Sequence, residues 1–158
     1  MASRTRTTGV TWDAFAGAEP EMAALFRKLL DWIPIAYIAT TRRDGSPRVH
    51  PFCPIFARGR MFIAINETSP KRWDLARDGR FAVHALPGKR DDEFYVTGRA
   101  RRIDDDADLR QSVVEGAGHT VHPEDWVFEL APEYVMMAYW EKVGQPGTYA
   151  VRKEWRAG

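Results

Sequence analysis

The segment Asn66-Glu67-Thr68-Ser69-Pro70-Lys71-Arg72 concentrates the groups most able to do chemistry. It lies between a predicted strand, Met61 to Ile65, and a predicted short helix, Ser69 to Asp78. A helix start presents unpaired backbone N–H groups and a partial positive charge. A serine hydroxyl there adds a donor, and Lys71 and Arg72 add two full charges. Together such groups can cradle a phosphate. A plainer reading uses the same residues: Ser69 caps the helix and both bases are solvated.

Other side chains could also do chemistry. His50 can change protonation near neutral pH. It either touches a ligand or is a hydrogen-bonded histidine of the sheet. His84 lies on an apolar strand and reads as core. His119, His122, Glu124 and Asp125 share one loop but lack a ligand spacing or a partner set elsewhere, so no metal site is expected. Cys53 has no nearby His or Asp and reads as a small buried hydrophobe. Arg99 and Arg101 are two apart on one predicted strand and so share a face. They would reach a second subunit's phosphate or a carboxylate such as Asp104, and the ion pair is favoured. Trp73, Trp126, Trp140 and Trp155 are spread along predicted elements, and some are expected at a subunit interface.

The elements that must position these residues are mostly short strands. Met1 to Thr11 reads as a flexible arm. Glu19 to Trp32 is an amphipathic helix, with Met22, Leu25, Phe26, Leu29 and Leu30 at helical spacing and Pro34 after it. Ile35 to Thr41 is a strand, and Asp44-Gly45 marks a hairpin turn. Pro47 to Ala57 returns, with Pro51 and Pro54 placing it partly on an edge or at a bulge. Arg58-Gly59 makes a second turn before Met61 to Ile65. Phe81 to Leu86 and Phe94 to Ile103 are further strands, followed by a helix from Asp104 to Glu115. Trp126 to Leu130, Tyr134 to Lys142 and Thr148 to Arg152 complete the set. Many short strands with regular turns predict a mainly β, antiparallel, closed or nearly closed barrel of six to seven strands with flanking helices.

Bulk properties fit that picture. The 158 residues suit one domain spanning the whole chain. Lys plus Arg is 23 and Asp plus Glu is 22, so the formal net charge of +1 points to neither nucleic acid nor an anionic membrane. A single cysteine excludes an intrachain disulfide and fits a reducing cytoplasm. No apolar leader and no membrane-length apolar run is present.

The order of elements resembles the pyridoxamine 5′-phosphate oxidase-like family, the FMN-binding split barrels. The residues that carry the likeness are Tyr37-Ile38-Ala39-Thr40-Thr41, then Asp44-Gly45-Ser46-Pro47-Arg48-Val49. Phe62-Ile63-Ala64-Ile65, Ser69-Pro70-Lys71 and Phe94-Tyr95-Val96-Thr97-Gly98-Arg99-Ala100 follow. The resemblance implies that Arg48, Val49, His50 and Pro51 line the flavin ring and its ribityl chain. It implies that Ile65 and Asn66 contact the cofactor, and that Ser69 and Lys71, with Arg72 beside them, hold its phosphate. The oxidase proper has an arginine where this chain has Pro70 and a threonine where it has Ile65. Its C-terminal substrate segment, with an Arg and a His, is not recognisable. The resemblance therefore implies an FMN-dependent oxidoreductase of unassigned substrate, rather than pyridoxamine phosphate oxidation. It also implies a homodimer, with the cofactor at the interface and a small-molecule substrate or electron donor as partner. Two alternatives stay open. One is a reductase of the same fold using the deazaflavin coenzyme F-420, whose acidic tail would call on Lys71, Arg72 and Arg48. The other is a non-catalytic binder of flavin or haem, with His50 or His84 as the haem ligand.

Overall fold

The computed structural model describes residues 9–158. The expected arm lies largely outside that range, and its last residues lead directly into a helix. This α1, Trp12–Ala18, is capped by Thr11, whose hydroxyl accepts from the Ala14 N–H at 3.2 Å. It buries Trp12 and Phe15. Helix α2, Pro20–Trp32, starts on Pro20, where a missing N–H costs nothing. It turns Met22, Ala23, Phe26 and Leu29 into the core.

Eight strands follow: β1 Ala36–Thr41, β2 Pro47–Phe52, β3 Ile55–Ala57, β4 Arg60–Ile65, β5 Arg80–Ala85, β6 Glu93–Arg102, β7 Trp126–Glu141 and β8 Tyr149–Arg156. Helices α3, Lys71–Arg77, and α4, Ala107–Gly116, lie between β4 and β5 and between β6 and β7. Both expected turns form. Asp44 Oδ1 accepts from the Ser46 N–H and hydroxyl at 3.0 and 2.6 Å, with Gly45 at φ 86°. Arg58 and Gly59 both take positive φ, 47° and 70°, as a tight hairpin turn requires.

Every pairing is antiparallel, in the order β2-β1-β5-β6-β7-β4-β3, with β8 added to β7. The two ends of this path, β2 and β3, are separated in the chain by only Cys53 and Pro54. A sheet whose first and last strands are chain neighbours must curl round on itself. Among the described residues no ladder joins β2 to β3, so the barrel is split there. The prolines explain the gap. Pro51 is tolerated because β2 is an edge strand, and Pro54 sits where the expected single return strand breaks in two.

Strand β7 carries the architecture. Its first residues pair with β4, its later ones with β8, and β6 lies along its other side. The two strands expected between Trp126 and Lys142 are thus one, bent at a register shift opposite Thr97 and Gly98. A Cβ on Gly98 would overlap the Ala131 carbonyl, so the bulge needs glycine. The main core gathers α1, α2 and the inner sheet face. Phe26 stacks on Phe94 with ring centroids 4.3 Å apart, and Trp12 packs edge-on against Phe15 at 5.1 Å. Burying each such ring stabilises the fold by roughly 1.5–3 kcal/mol. A smaller cluster around Ile55, Phe62, Leu109 and Val113 seats α4. Here Asp106 serves as N-cap, accepting from the Leu109 N–H at 2.9 Å, so the helix begins later than the acidic run suggests.

Candidate functional site

Strand β2 alternates strictly, and that alternation divides the candidate residues. Arg48 and His50 share a face with buried Phe52 and lie opposite Thr40 and Ile38 of β1. Val49 and Pro51 point the other way and are exposed, opposite Ala39 and Tyr37. The first face meets α3.

There the anchor is Asp74, only 3% exposed. Its Oδ2 accepts from Arg48 Nε at 2.7 Å and from the Thr40 hydroxyl at 2.9 Å, and its Oδ1 lies 3.5 Å from an Arg77 nitrogen. Burial alone would raise the Asp74 pKa, but the hydrogen bonds from Arg48 and Thr40 and the nearby guanidiniums bring it below the ordinary carboxylate value. Asp74 therefore ties α3 to the β1–β2 hairpin and fixes where the helix start points. Reading the sequence in isolation missed Asp74. The available signal was an acid inside the first helical turn, one turn before Arg77 and shortly after Lys71 and Arg72.

The turn before α3 is built locally. Asn66 Oδ1 accepts from the Thr68 N–H and hydroxyl at 2.9 and 2.7 Å, and the Ser69 N–H donates to the Asn66 carbonyl at 2.9 Å. Ser69 does not cap the helix: Pro70 occupies the flanking position with helical dihedrals, and no side chain caps the amides. Instead the Ser69 hydroxyl is buried without a hydrogen-bond partner. So is Arg72 Nε. Orphaned buried polar atoms are uncommon and mark a place where a partner belongs. The Arg72 guanidinium lies 4.9 Å from both the Trp73 and the Trp126 ring centroids, and Arg102 covers Trp126 at 3.5 Å.

Lys71 is half-buried, and its Nζ stands 3.4 Å from His50 Nδ1. Burial pushes the Lys71 pKa down. His50 is lowered as well, by burial first and then by the positive charges of Lys71 and Arg48. Among the described residues no carboxylate pairs with Lys71 or Arg72. The turn is thus electropositive, partly desolvated and unblocked by the protein's own acids. Its donor set suits an anion: hydroxyl, ammonium and guanidinium within one short stretch.

The remaining candidates fall elsewhere. Ile65 is 1% exposed with its side chain in the core, while Asn66 is exposed. His84 is not core. It sits half-buried on the outer sheet face between Tyr37 and Tyr95, with Nδ1 2.5 Å from the Ala85 carbonyl. Cys53 is half-buried in the β2–β3 break rather than enclosed. Arg99 and Arg101 do make ion pairs, but with Glu133 and Glu129, at 3.5 and 3.6 Å; it is Arg102 that meets Asp104. Asp125 holds its loop by accepting from the His122 N–H at 2.9 Å. Trp73 and Trp140 are exposed, whereas Trp12, not singled out by sequence, is core.

The chain has the split-barrel fold of pyridoxamine 5′-phosphate oxidase-like proteins. No family model and no curated protein matches the chain. Solved structures do. A haem-binding protein from Mycobacterium smegmatis is similar over 84% of this chain at TM-score 0.60 and 17% identity; the chain spans only 58% of that protein's length. A NimC/NimA family protein from Clostridium acetobutylicum matches 84% of this chain and 93% of its own, at TM-score 0.60 and 18% identity. A pyridoxinephosphate oxidase family protein from the same organism matches 81% and 92%, at TM-score 0.59 and 11% identity. Among the described residues no helix is long and apolar enough to cross a membrane.

Proposed function

We propose that this chain binds FMN, holds the cofactor phosphate on Ser69, Lys71 and Arg72, and uses it as an oxidoreductase of unassigned small-molecule substrate. The observation that carries the reading is the buried, unpartnered Ser69 hydroxyl beside the half-buried, acid-free Lys71. A phosphate there would accept from the hydroxyl and the ammonium at once and relieve the desolvation of both.

The chain's own residues divide the work. Asp74 keeps Arg48 oriented along β2 and holds the start of α3 against the hairpin. Burial and the charges of Lys71 and Arg48 favour the neutral form of His50. It accepts from Lys71 or donates to a ligand oxygen, according to its tautomer. Val49 and Pro51 face outward, so a ring lying along β2 would meet them on that exposed side. It would also meet the backbone groups of the free strand edge, which lack a ladder partner. When bound, the flavin supplies the hydride or electron transfer, and the protein supplies binding, orientation and electrostatics.

A second copy of the chain would complete the site. The outer face around Tyr37 and Val49, 46% and 60% exposed, offers apolar surface for such a contact. The fold likeness to a haem-binding protein supports a second reading, in which neutral His50 ligates haem iron. Deazaflavin coenzyme F-420 in place of FMN is the third. Titrating the purified chain separately with FMN, the deazaflavin and haem decides among them. Flavin fluorescence quenching at micromolar FMN is expected. Binding of haem or deazaflavin with no response to FMN would overturn the proposal.

A further inference from the structure

A second electropositive feature lies at the other end of α3 from the Ser69 turn. Five arginines from four separate places in the fold converge on one cleft of about 390 Å³: Arg42 and Arg43 on the β1–β2 turn, Arg77 at the end of α3, Arg80 on β5 and Arg99 on β6. One acid, Asp78, lines it with them. This density of charge is out of proportion to a chain whose formal net charge is +1.

The sheet itself argues against a merely solvated patch. Arg80 and Arg99 stand directly opposite each other across the β5–β6 ladder. Like charges in that position are destabilising. Asp78 offsets part of the repulsion by gripping Arg80 through both oxygens, at 2.9 and 2.5 Å, and Glu133 lies 3.5 Å from Arg99. Arg77 is held by donating to the Thr41 carbonyl at 2.6 Å. Three of the lining guanidiniums are thereby held in place. Arg42 and Arg43, on the β1–β2 turn, make no ion pair among the described residues. Held guanidiniums lining one cleft with two free ones suit an anion, and guanidinium forks match phosphate oxygens two at a time.

We propose that this cleft binds a small anion carrying two linked phosphate groups, spanning from Arg42 and Arg43 to Arg80 and Arg99. Five guanidiniums offer more N–H forks than one phosphate can engage, whereas two linked phosphates present a second set of oxygens. The source is either free diphosphate or the diphosphate of a nucleotide. The site is separate from the Ser69 turn and does not depend on the flavin reading.

Calorimetric titration of the full chain with inorganic pyrophosphate, orthophosphate and ADP tests the idea, together with two variants. The expected result is pyrophosphate binding at least tenfold tighter than orthophosphate. It should weaken at least tenfold in Arg42→Ala/Arg43→Ala, which removes exposed turn residues without disturbing an ion pair. It should stay within twofold in Ser69→Ala/Lys71→Ala. Tighter ADP than pyrophosphate would identify the nucleotide source. No pyrophosphate binding at millimolar concentration, equal affinity for orthophosphate, or loss confined to the Ser69→Ala/Lys71→Ala variant would each overturn the proposal.

Discussion

Replacing Asp74 with alanine is the sharpest perturbation of the frame that holds the candidate site. Asp74 is 3% exposed and its carboxylate contacts Arg48, Thr40 and Arg77. Its removal leaves the Arg48 guanidinium, whose side chain is 19% exposed, largely desolvated without its counter-charge. Breaking one side of a buried pair costs about 3–5 kcal/mol. Arg48 keeps some contact with water, so about 3 kcal/mol is expected. For a domain of this size each kcal/mol moves Tm by roughly 2–4 °C. Asp74→Ala should therefore melt roughly 6–12 °C lower. Because the folded pKa of Asp74 is depressed, its contribution is present above the unfolded carboxylate value and is lost as pH falls through the folded one. The difference between native chain and variant should accordingly shrink on acidification. Thermal and urea melts at pH 7 and pH 3, combined with Arg48→Ala in a double-mutant cycle, measure both effects. A loss under 1 kcal/mol, or one that is fully additive with Arg48→Ala, would refute the anchoring role.

Three further outcomes follow from the geometry. Gly98→Ala places a methyl against the Ala131 carbonyl at the β6–β7 bulge and should cost about 3 kcal/mol, read from urea midpoints. Phe26→Ala removes a fully buried ring stacked on Phe94 and should cost about 3–5 kcal/mol, read from the same melts. The folded state resists protonating His50, whereas the unfolded chain takes up that proton near pH 6.5, so His50 withdraws stability as pH falls below about 6.5. His50→Gln should flatten the stability profile between about pH 6.5 and pH 5, and an unchanged slope would contradict the burial assigned to it.

Local signals located most of the elements but not the way they are joined. Asp44-Gly45 and Arg58-Gly59 announced their hairpins because the positive φ of a tight turn restricts which residues can occupy it. Phe26 and Leu29 announced α2 because the helical period is visible along a single chain. The unity of β7 was hidden: Pro132 and Glu133 look like a turn, and only the bulge opposite Gly98 lets one strand pass through them. Helix α1 was hidden by its brevity, since seven residues carry too few periodic positions to stand out from an arm. The site shows the same division. The proposed anion site at Ser69, Lys71 and Arg72 draws on residue type and on position at the start of a helix, both visible in the sequence. Three facts depend on long-range packing and could not be read there: Asp74 is buried, Lys71 stands beside His50, and Ser69 faces no partner. The arginine cleft is of the same kind, since its walls come from residues 42, 77, 80 and 99, brought together only by the sheet order.

FMN and riboflavin differ by one phosphate, so comparing their affinities isolates what the Ser69 turn contributes. A charge-assisted hydrogen bond is worth roughly 1.5–3 kcal/mol. FMN should thus bind the native chain at least about tenfold more tightly than riboflavin. That advantage should shrink markedly in Ser69→Ala/Lys71→Ala, which leaves only Arg72 of the three, with riboflavin affinity unchanged. Equal affinities for FMN and riboflavin in the native chain would contradict the assignment of this turn to a cofactor phosphate.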